Sequence, residues 1–164
     1  MKTKEYFIVR KNGNDYLCRK SGNSYCDVSC PITEFIEGED EFEIIAPDPQ
    51  YLDKIYKYRG RKVKVAPTFY ENGWPAIALT DPKDDYNYDI ITVNLETMPT
   101  MAIPNRAFID CNNHPHGLQF LTSTGLANNT GYRRHNGFVS YPMVTLNLAL
   151  LYQHDPDAFK DAND

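Results

Sequence analysis

The amino-acid sequence predicts an α+β fold: an antiparallel meander sheet with two or three helices packed mainly on one face. Strand-like segments follow one another around the strong turn signals Asn12-Gly13 and Asn72-Gly73. Two other segments begin like helices, at Asp48-Pro49 and His114-Pro115, with proline at the first helical position. A chain of 164 residues with 41% hydrophobic and 24% charged residues suits one ordinary globular domain.

The N-terminal part predicts a hairpin, a short strand and a helix. Residues 5–10 and 16–20 flank a turn, residues 21–31 are expected to be irregular, and residues 41–46 alternate weakly like a strand. The spacing then predicts a helix over residues 49–59, capped by Asp48 and ended by Gly60. One face of this helix would carry residues spaced i, i+3, i+4 and i+7, namely Leu52, Ile55, Tyr56 and Arg59.

The middle of the chain predicts mostly strands. Residues 62–70 and 74–80 flank the Asn72-Gly73 turn, and residues 88–95 follow after a polar loop. This order predicts a three-strand meander, with a further short strand at residues 106–110.

The last third predicts one helix and one ambiguous segment. A helix is expected over residues 114–124, with Gly125 as its stop, followed by a polar loop at residues 127–136. The long apolar stretch within residues 138–152 fits either a central strand or a strand that turns into a helix.

Short motifs stand in a specific order and spacing over residues 68–142. They are Tyr70-x-Asn72-Gly73, Ala76-Ile77-x-Leu79, Thr92-Val93-Asn94-Leu95, Ala107-Phe108-x-Asp110-x-Asn112-Asn113, Gly125-Leu126 and Gly137-Phe138-x-x-Tyr141-Pro142. In this series the chain resembles an uncharacterised family of small bacterial proteins encoded on plasmids and conjugative elements, especially of gut bacteria. That family has no agreed activity or catalytic residues. The resemblance therefore implies a genomic setting, the accessory genes of mobile elements, some of which act on host defence.

We expect a single domain over residues 1–164. Its parts are a variable N-terminal hairpin, acidic segment and helix at 1–65, a family-like core at 66–153 and a frayed tail at 154–164. The N-terminal part and the apolar stretch after Pro142 depart from the family pattern, so either could carry a function that the family core lacks.

Composition predicts a cytoplasmic protein without a membrane partner. The first ten residues, MKTKEYFIVR, hold an apolar run of three residues, which is too short for a signal peptide. No stretch approaches the length and apolarity of a membrane span. The four cysteines are too few for a disulfide scaffold, and we expect free thiols.

Charge is segregated along the chain, and the strongest feature is an acidic segment at residues 34–43. Residues 34–53 contain eight acids and no base. Two interpretations account for this pattern. The segment is either a solvent-facing strand whose aromatic side chains pack inward, or a surface that imitates a phosphate backbone and docks on a basic protein. The predicted partner-binding residues are Glu34, Glu37, Glu39, Asp40, Glu41 and Glu43, together with Trp74, Arg133 and Arg134.

Candidate metal ligands occur at Cys111, His114 and His116, because Cys/His pairs two to four residues apart supply half of a zinc site. Cys26-x-x-x-Cys30 would have to complete it, and neither half has the C-x-x-C spacing. We therefore predict no metal and no cofactor. A cysteine nucleophile paired with a histidine stays open as an alternative, in the combinations Cys111 with His135 or Cys30 with His154.

Nucleotide and nucleic-acid binding receive little support. The nine glycines form no phosphate-binding loop, and 22 acids against 17 lysines and arginines oppose a non-specific grip on nucleic acid. The predicted function is a non-enzymatic mobile-element accessory protein that binds another protein. The specific hypothesis is an inhibitor of a host nucleic-acid-directed defence system, of the anti-restriction or anti-CRISPR type, whose acidic surface occupies a nucleic-acid-binding host effector. A Cys/His-dependent enzyme or zinc-binding protein, and a regulatory or structural subunit of conjugation machinery, are the alternatives.

Overall fold

The computed structural model describes residues 5–30, 32–83, 87–95 and 105–159. Strands make up 49% of these residues and form three sheets, and the two α-helices have seven residues each. The predicted α+β fold, with two or three helices packed on one sheet, is therefore wrong. The described chain is mostly antiparallel β, because several segments without a strong strand pattern pair with a neighbouring strand in a hairpin.

The first sheet contains five strands in the order β4-β3-β2-β1-β5. They are β1 Tyr6–Lys11, β2 Asn14–Ser21, β3 Ser24–Asp27, β4 Glu34–Ile36 and β5 Glu43–Ile45. The predicted first hairpin and the short strand at residues 41–46 are confirmed. β3 lies in the stretch that we expected to be irregular, where it pairs with β2 across a turn containing Gly22.

The other two sheets contain four strands each, in the orders β6-β7-β8-β9 and β10-β11-β13-β12. The strands are β6 Tyr56–Tyr58, β7 Arg61–Phe69, β8 Pro75–Thr80, β9 Asn87–Ile90, β10 Thr92–Val93, β11 Arg106–Ile109, β12 Ala127–Asn136 and β13 Val139–Leu146. The predicted meander is confirmed as β7-β8-β9. Between the sheets, the Ile91 N–H donates to the Ile77 carbonyl (3.0 Å) and the Ile91 carbonyl accepts from Asp110 (2.9 Å).

The helix predicted over residues 49–59 is wrong beyond its first turn. Asp48 does cap a helix, accepting from the Gln50 N–H at 2.9 Å, but that helix is a 3-10 helix, Pro49–Asp53. β6 follows and pairs with β7. Tyr56 and Tyr58 are good strand formers two residues apart, so this short segment satisfies both the helical and the strand period. Pairing with β7 selects the strand.

The remaining helices are α1, Gly117–Ser123, and α2, Leu148–His154. α1 lies within the predicted range of residues 114–124. α2 follows β13 directly, so the ambiguous segment is a strand that turns into a helix. The loop predicted at residues 127–136 is instead β12, whose polar residues pair with β13 around a register shift between Asn129 and Arg133.

One hydrophobic core joins all three sheets. It includes Ile8 and Leu17 from the first sheet, Leu79 from the second, and Leu121 and Leu151 from the helices. Residues 156–159, within the tail expected to fray, form a 3-10 helix whose last residue is buried in this core. Residues 160–164 lie outside the described part. No helix in the described ranges is long and apolar enough to cross a membrane.

Two hairpin turns share one unusual backbone geometry. Asn12-Gly13 has φ angles of 53° and 79°, and Arg59-Gly60 has φ angles of 54° and 79°. Positive φ is favourable for asparagine and glycine but not for a long side chain such as arginine. We expect Arg59→Asn to raise the free energy of unfolding by about 0.5–1 kcal/mol. Chemical denaturation of this variant and of the reciprocal Asn12→Arg would check it; an equal or lower stability for Arg59→Asn contradicts the expectation.

Candidate functional site

The acidic segment, residues 34–43, connects the two edges of the first sheet. It begins in β4 at one edge and ends in β5 at the other. Its two phenylalanines anchor it to the face of the sheet that points away from the main core. The Phe42 ring lies 5.6 Å from the Tyr25 ring and 5.9 Å from the Phe35 ring. These rings cover Val9 and Cys18, which have no exposed surface.

Local polar contacts fix the turn of the acidic segment. The Ile36 N–H donates to Oδ2 of Asp40 at 2.7 Å, and Asp40 also lies 3.6 Å from Nζ of Lys11. The Tyr25 hydroxyl donates to Oε1 of Glu37 at 3.0 Å, and Lys20 pairs with the same oxygen at 3.3 Å. These two donors lower the pKa of Glu37 below its ordinary value, so its carboxylate stays ionised at neutral pH.

Five of the six predicted carboxylates are exposed to solvent, namely Glu34, Glu37, Glu39, Glu41 and Glu43. Four of the six form no ion pair within the part of the chain that the structure describes: Glu34, Glu39, Glu41 and Glu43. A cleft of about 470 Å³ lies beside the segment and is lined by its last acids and by Arg10 and Lys11. The structure therefore brings the predicted acidic residues together on one ordered surface.

Trp74, predicted as a contact residue, is buried with 8% of its surface exposed. Its indole stacks on the Phe108 ring at 6.1 Å between centroids, and its Nε1 atom has no hydrogen-bond partner within the described part of the chain. The Trp74 ring therefore joins β8 to β11 and is not available to a partner.

Arg133 and Arg134 do not form one patch with each other or with the acidic segment. They are consecutive residues of β12, so their side chains point to opposite faces. Arg133 donates to the Ser140 hydroxyl at 2.9 Å and to the Ser140 carbonyl at 2.6 Å. The guanidinium of Arg134 lies 5.2 Å from the Phe108 ring centroid. Both arginines belong to a different sheet from the acidic segment.

Cys111, one of the cysteine and histidine candidates, lies next to β13. The Cys111 thiol donates to the Ser140 carbonyl at 3.3 Å, and all four cysteines are free. Among the described residues, no group of three His, Cys, Asp or Glu side chains is placed to hold a metal ion. His116 lies at the start of α1, next to a cavity described below.

A buried histidine–tyrosine pair was not anticipated from the sequence. His154, 4% exposed, donates from Nδ1 to the Leu150 carbonyl at 2.8 Å, and its Nε2 accepts from the Tyr56 hydroxyl at 2.7 Å. Burial lowers the pKa of His154 below its usual value and raises the pKa of Tyr56 to about 12. Both nitrogens of the ring are engaged, so this histidine is placed to hold α2 against β6 and not to activate a cysteine.

A cavity of about 330 Å³ between the β6–β7 turn and α1 was also missed. Lys57, Arg59 and His116 line it, together with the polar side chains of Gln119 and Ser123. The available signal was the tripeptide Arg59-Gly60-Arg61, whose glycine can form a two-residue hairpin turn as well as a helix stop.

Comparison with known proteins gives one match. The model of a family described as a domain of unknown function, DUF4313, matches residues 65–163. That range contains the motifs of residues 68–142 and extends beyond them, while the acidic segment lies outside it. Neither the curated proteins nor the solved structures contain a match to the chain.

Proposed function

The chain belongs to the DUF4313 family, a domain of unknown function, and we propose that it binds another protein through the acidic segment. This segment lies outside the residues that the family model matches. The single observation that carries the proposal is a rigidly anchored run of exposed carboxylates. Residues 5–45 hold nine acids and four bases. Six of these nine acids, and none of the bases, lie in the acidic segment.

The anchoring matters because binding is weaker when a surface must first be ordered. Phe35 and Phe42 pack the segment against the face of the first sheet, and the contact of Asp40 with the Ile36 N–H fixes its turn. The exposed glutamates are therefore presented in advance to a complementary basic surface. Such complementarity speeds association and selects the partner.

The spacing of the acids supports a partner that normally holds nucleic acid. The segment crosses a five-stranded sheet, a width of about 19 Å at ordinary strand spacing. One strand of B-form DNA carries about six phosphates over that length. The segment carries six carboxylates, two of which are paired with lysines. The number of negative charges along the segment is therefore similar to the number that a nucleic-acid-binding groove accommodates over the same length.

In its specific form, the proposal is an inhibitor of a host nucleic-acid-directed defence system. The protein would be cytoplasmic and encoded as an accessory gene of a plasmid or conjugative element of gut bacteria. The support for this setting is the resemblance of residues 68–142 described above. Within this proposal the protein makes and breaks no covalent bond.

Charge reversal tests the proposal. We expect a variant with Glu34, Glu37, Glu39 and Glu41 replaced by lysine to lose partner capture from a recipient-cell lysate by about tenfold or more. Reversing four exposed acids elsewhere, Glu5, Asp53, Glu71 and Asp157, changes the net charge equally and should leave capture intact. Quantitative mass spectrometry of proteins captured at low and high salt provides the measurement.

The matched pair of variants separates a specific surface from net charge. Captured partners should bind DNA or RNA, and the protein should compete with that nucleic acid. Equal capture by both reversal variants, with circular dichroism showing intact folds, would rule out the acidic segment as the binding surface.

A further inference from the structure

The geometry points to a second binding site: we infer that the cavity between the β6–β7 turn and α1 binds a small phosphorylated molecule. Its volume of about 330 Å³ is near the lower limit for small-ligand pockets, roughly 300–1,000 Å³, which suits a molecule no larger than a nucleoside monophosphate. The inference goes beyond the proposed function and does not depend on it, because none of the residues lining the cavity belongs to the acidic segment.

The cavity is lined for an anion. Lys57 and Arg59 supply two fixed positive charges, and none of the described residues that line it is acidic. An arginine fork matches two phosphate oxygens, while a lysine acts as a point charge. Gln119 and Ser123 on α1 add hydrogen-bonding groups, and the Phe120 ring supplies an apolar wall. Together these groups suit a phosphate attached to an organic ring.

The β6–β7 turn requires a positive φ at residue 59, and arginine is an unusual residue at such a position. At φ 54° it stands where the equivalent turn, at φ 53°, has Asn12. A long side chain in this region is a conformational outlier, and such outliers concentrate where a side chain has a functional task. The guanidinium that is held here at a conformational cost lines the cavity.

Tyr58 provides an independent observation. It is 3% exposed, and its buried hydroxyl has no hydrogen-bond partner among the residues that the structure describes. It lines this cavity and also an adjoining one of about 220 Å³, which it shares with Arg59, Arg61 and Asp89. Burial of a polar group without a partner is rare because it costs stability. An oxygen of a bound ligand, reached by a small movement of the ring, would complete its hydrogen bonding.

Calorimetric titration tests the inference with three small probes, namely inorganic phosphate, adenosine 5′-monophosphate and adenosine, and with a 5′-phosphorylated oligonucleotide. We expect the monophosphate to bind, and adenosine to bind at least about tenfold more weakly, because the phosphate makes the charged contacts. Arg59→Asn and Lys57→Gln should each lower the affinity for the monophosphate by about tenfold to a hundredfold. Lys83→Gln, which removes an exposed charge away from the cavity, should leave it unchanged.

Arg59→Asn is informative because asparagine suits the turn and should not destabilise the fold. If this variant loses binding while its melting temperature is unchanged or higher, the loss is caused by removal of the guanidinium. Three results would overturn the inference. They are no binding of either phosphate probe up to millimolar concentration, equal binding by the Arg59→Asn variant, and tighter binding of a 5′-phosphorylated oligonucleotide with a steep salt dependence. The last result would assign the cavity to a nucleic-acid end instead.

Discussion

Phe35→Ala is expected to lower the free energy of unfolding by about 3–5 kcal/mol, the range for removing a buried aromatic ring. Phe35 is 5% exposed, and its ring lies 5.0 Å from Tyr16 and 5.9 Å from Phe42. The cluster that these rings form is separate from the main core and has few members, so Phe35 supplies a large share of its buried apolar surface.

The matched control is Phe138→Ala. Phe138 stands at the turn between β12 and β13 and is fully exposed, so its removal should change stability by no more than about 0.5 kcal/mol. Urea denaturation of both variants gives the comparison. A loss below about 1 kcal/mol for Phe35→Ala would mean that the acidic segment is not anchored by its aromatic side chains.

The Phe35→Ala variant also tests whether anchoring of the acidic segment matters for the proposed function. Phe35→Ala leaves every carboxylate of the acidic segment in place but removes part of its attachment to the sheet. Partner affinity should therefore fall although the net charge is unchanged, because the segment must then be ordered during binding.

His154→Ala is expected to lower the free energy of unfolding by about 3 kcal/mol at neutral pH. The substitution removes a buried ring and leaves the Tyr56 hydroxyl without its acceptor. The variant should also lose a pH dependence that the wild-type protein has. Burial lowers the pKa of His154 in the folded protein, while in the unfolded chain it titrates near 6.5.

The sign of this dependence follows from proton linkage. Between the two pKa values the unfolded chain binds the proton and the folded protein does not, so stability falls as pH decreases. The contribution of His154 is fully present above about pH 6.5 and is lost as pH falls toward the lowered pKa of the folded state. The positive charge of Lys54 also contributes to the lowered pKa of His154, and Tyr56, whose pKa burial raises to about 12, stays neutral over this range. Asp155, whose pKa burial raises, acts in the opposite direction in both proteins.

The difference in unfolding free energy between wild type and His154→Ala therefore isolates the histidine. That difference should be larger at pH 8 than at pH 5, and urea denaturation at several pH values measures it. His135→Gln, at an exposed histidine of β12, should leave the slope of the wild-type protein unchanged. A difference that is constant with pH would show that His154 is not kept neutral by the fold.

Local signals predicted several elements correctly. The Asn12-Gly13 and Asn72-Gly73 turns identified their hairpins, and Asp48 caps a helical turn as expected. These features depend on residues close together in the chain, where turn and capping preferences decide the structure.

The errors came from segments whose conformation is decided by pairing with a neighbouring strand and not by their own residue pattern. β12 has a polar, loop-like sequence, and its pairing with β13 makes it a strand. β6 has a helix-compatible spacing, but β7 provides its hydrogen bonds. The prediction of two or three helices on one sheet failed for the same reason.

The candidate site was only partly accessible from the sequence. Its acids lie within ten consecutive residues, so their clustering could be predicted, and the inward packing of Phe35 and Phe42 follows from their alternation with acids. The sequence does not show that the segment joins opposite edges of a sheet, because strand order depends on the whole topology. Trp74 was mistaken for a surface residue since an aromatic beside a turn can face either way.

The family match begins at residue 65, in the middle of β7, which runs from Arg61 to Phe69. A chain cut at that limit would lose β6, half of β7 and the whole first sheet. It would also bare apolar side chains that now contact Ile8 and Leu17. The limits of the match therefore describe where sequences are alike, not where a self-sufficient folding unit begins. Any other N-terminal segment joined to the matched region would have to cover these same side chains with apolar residues of its own.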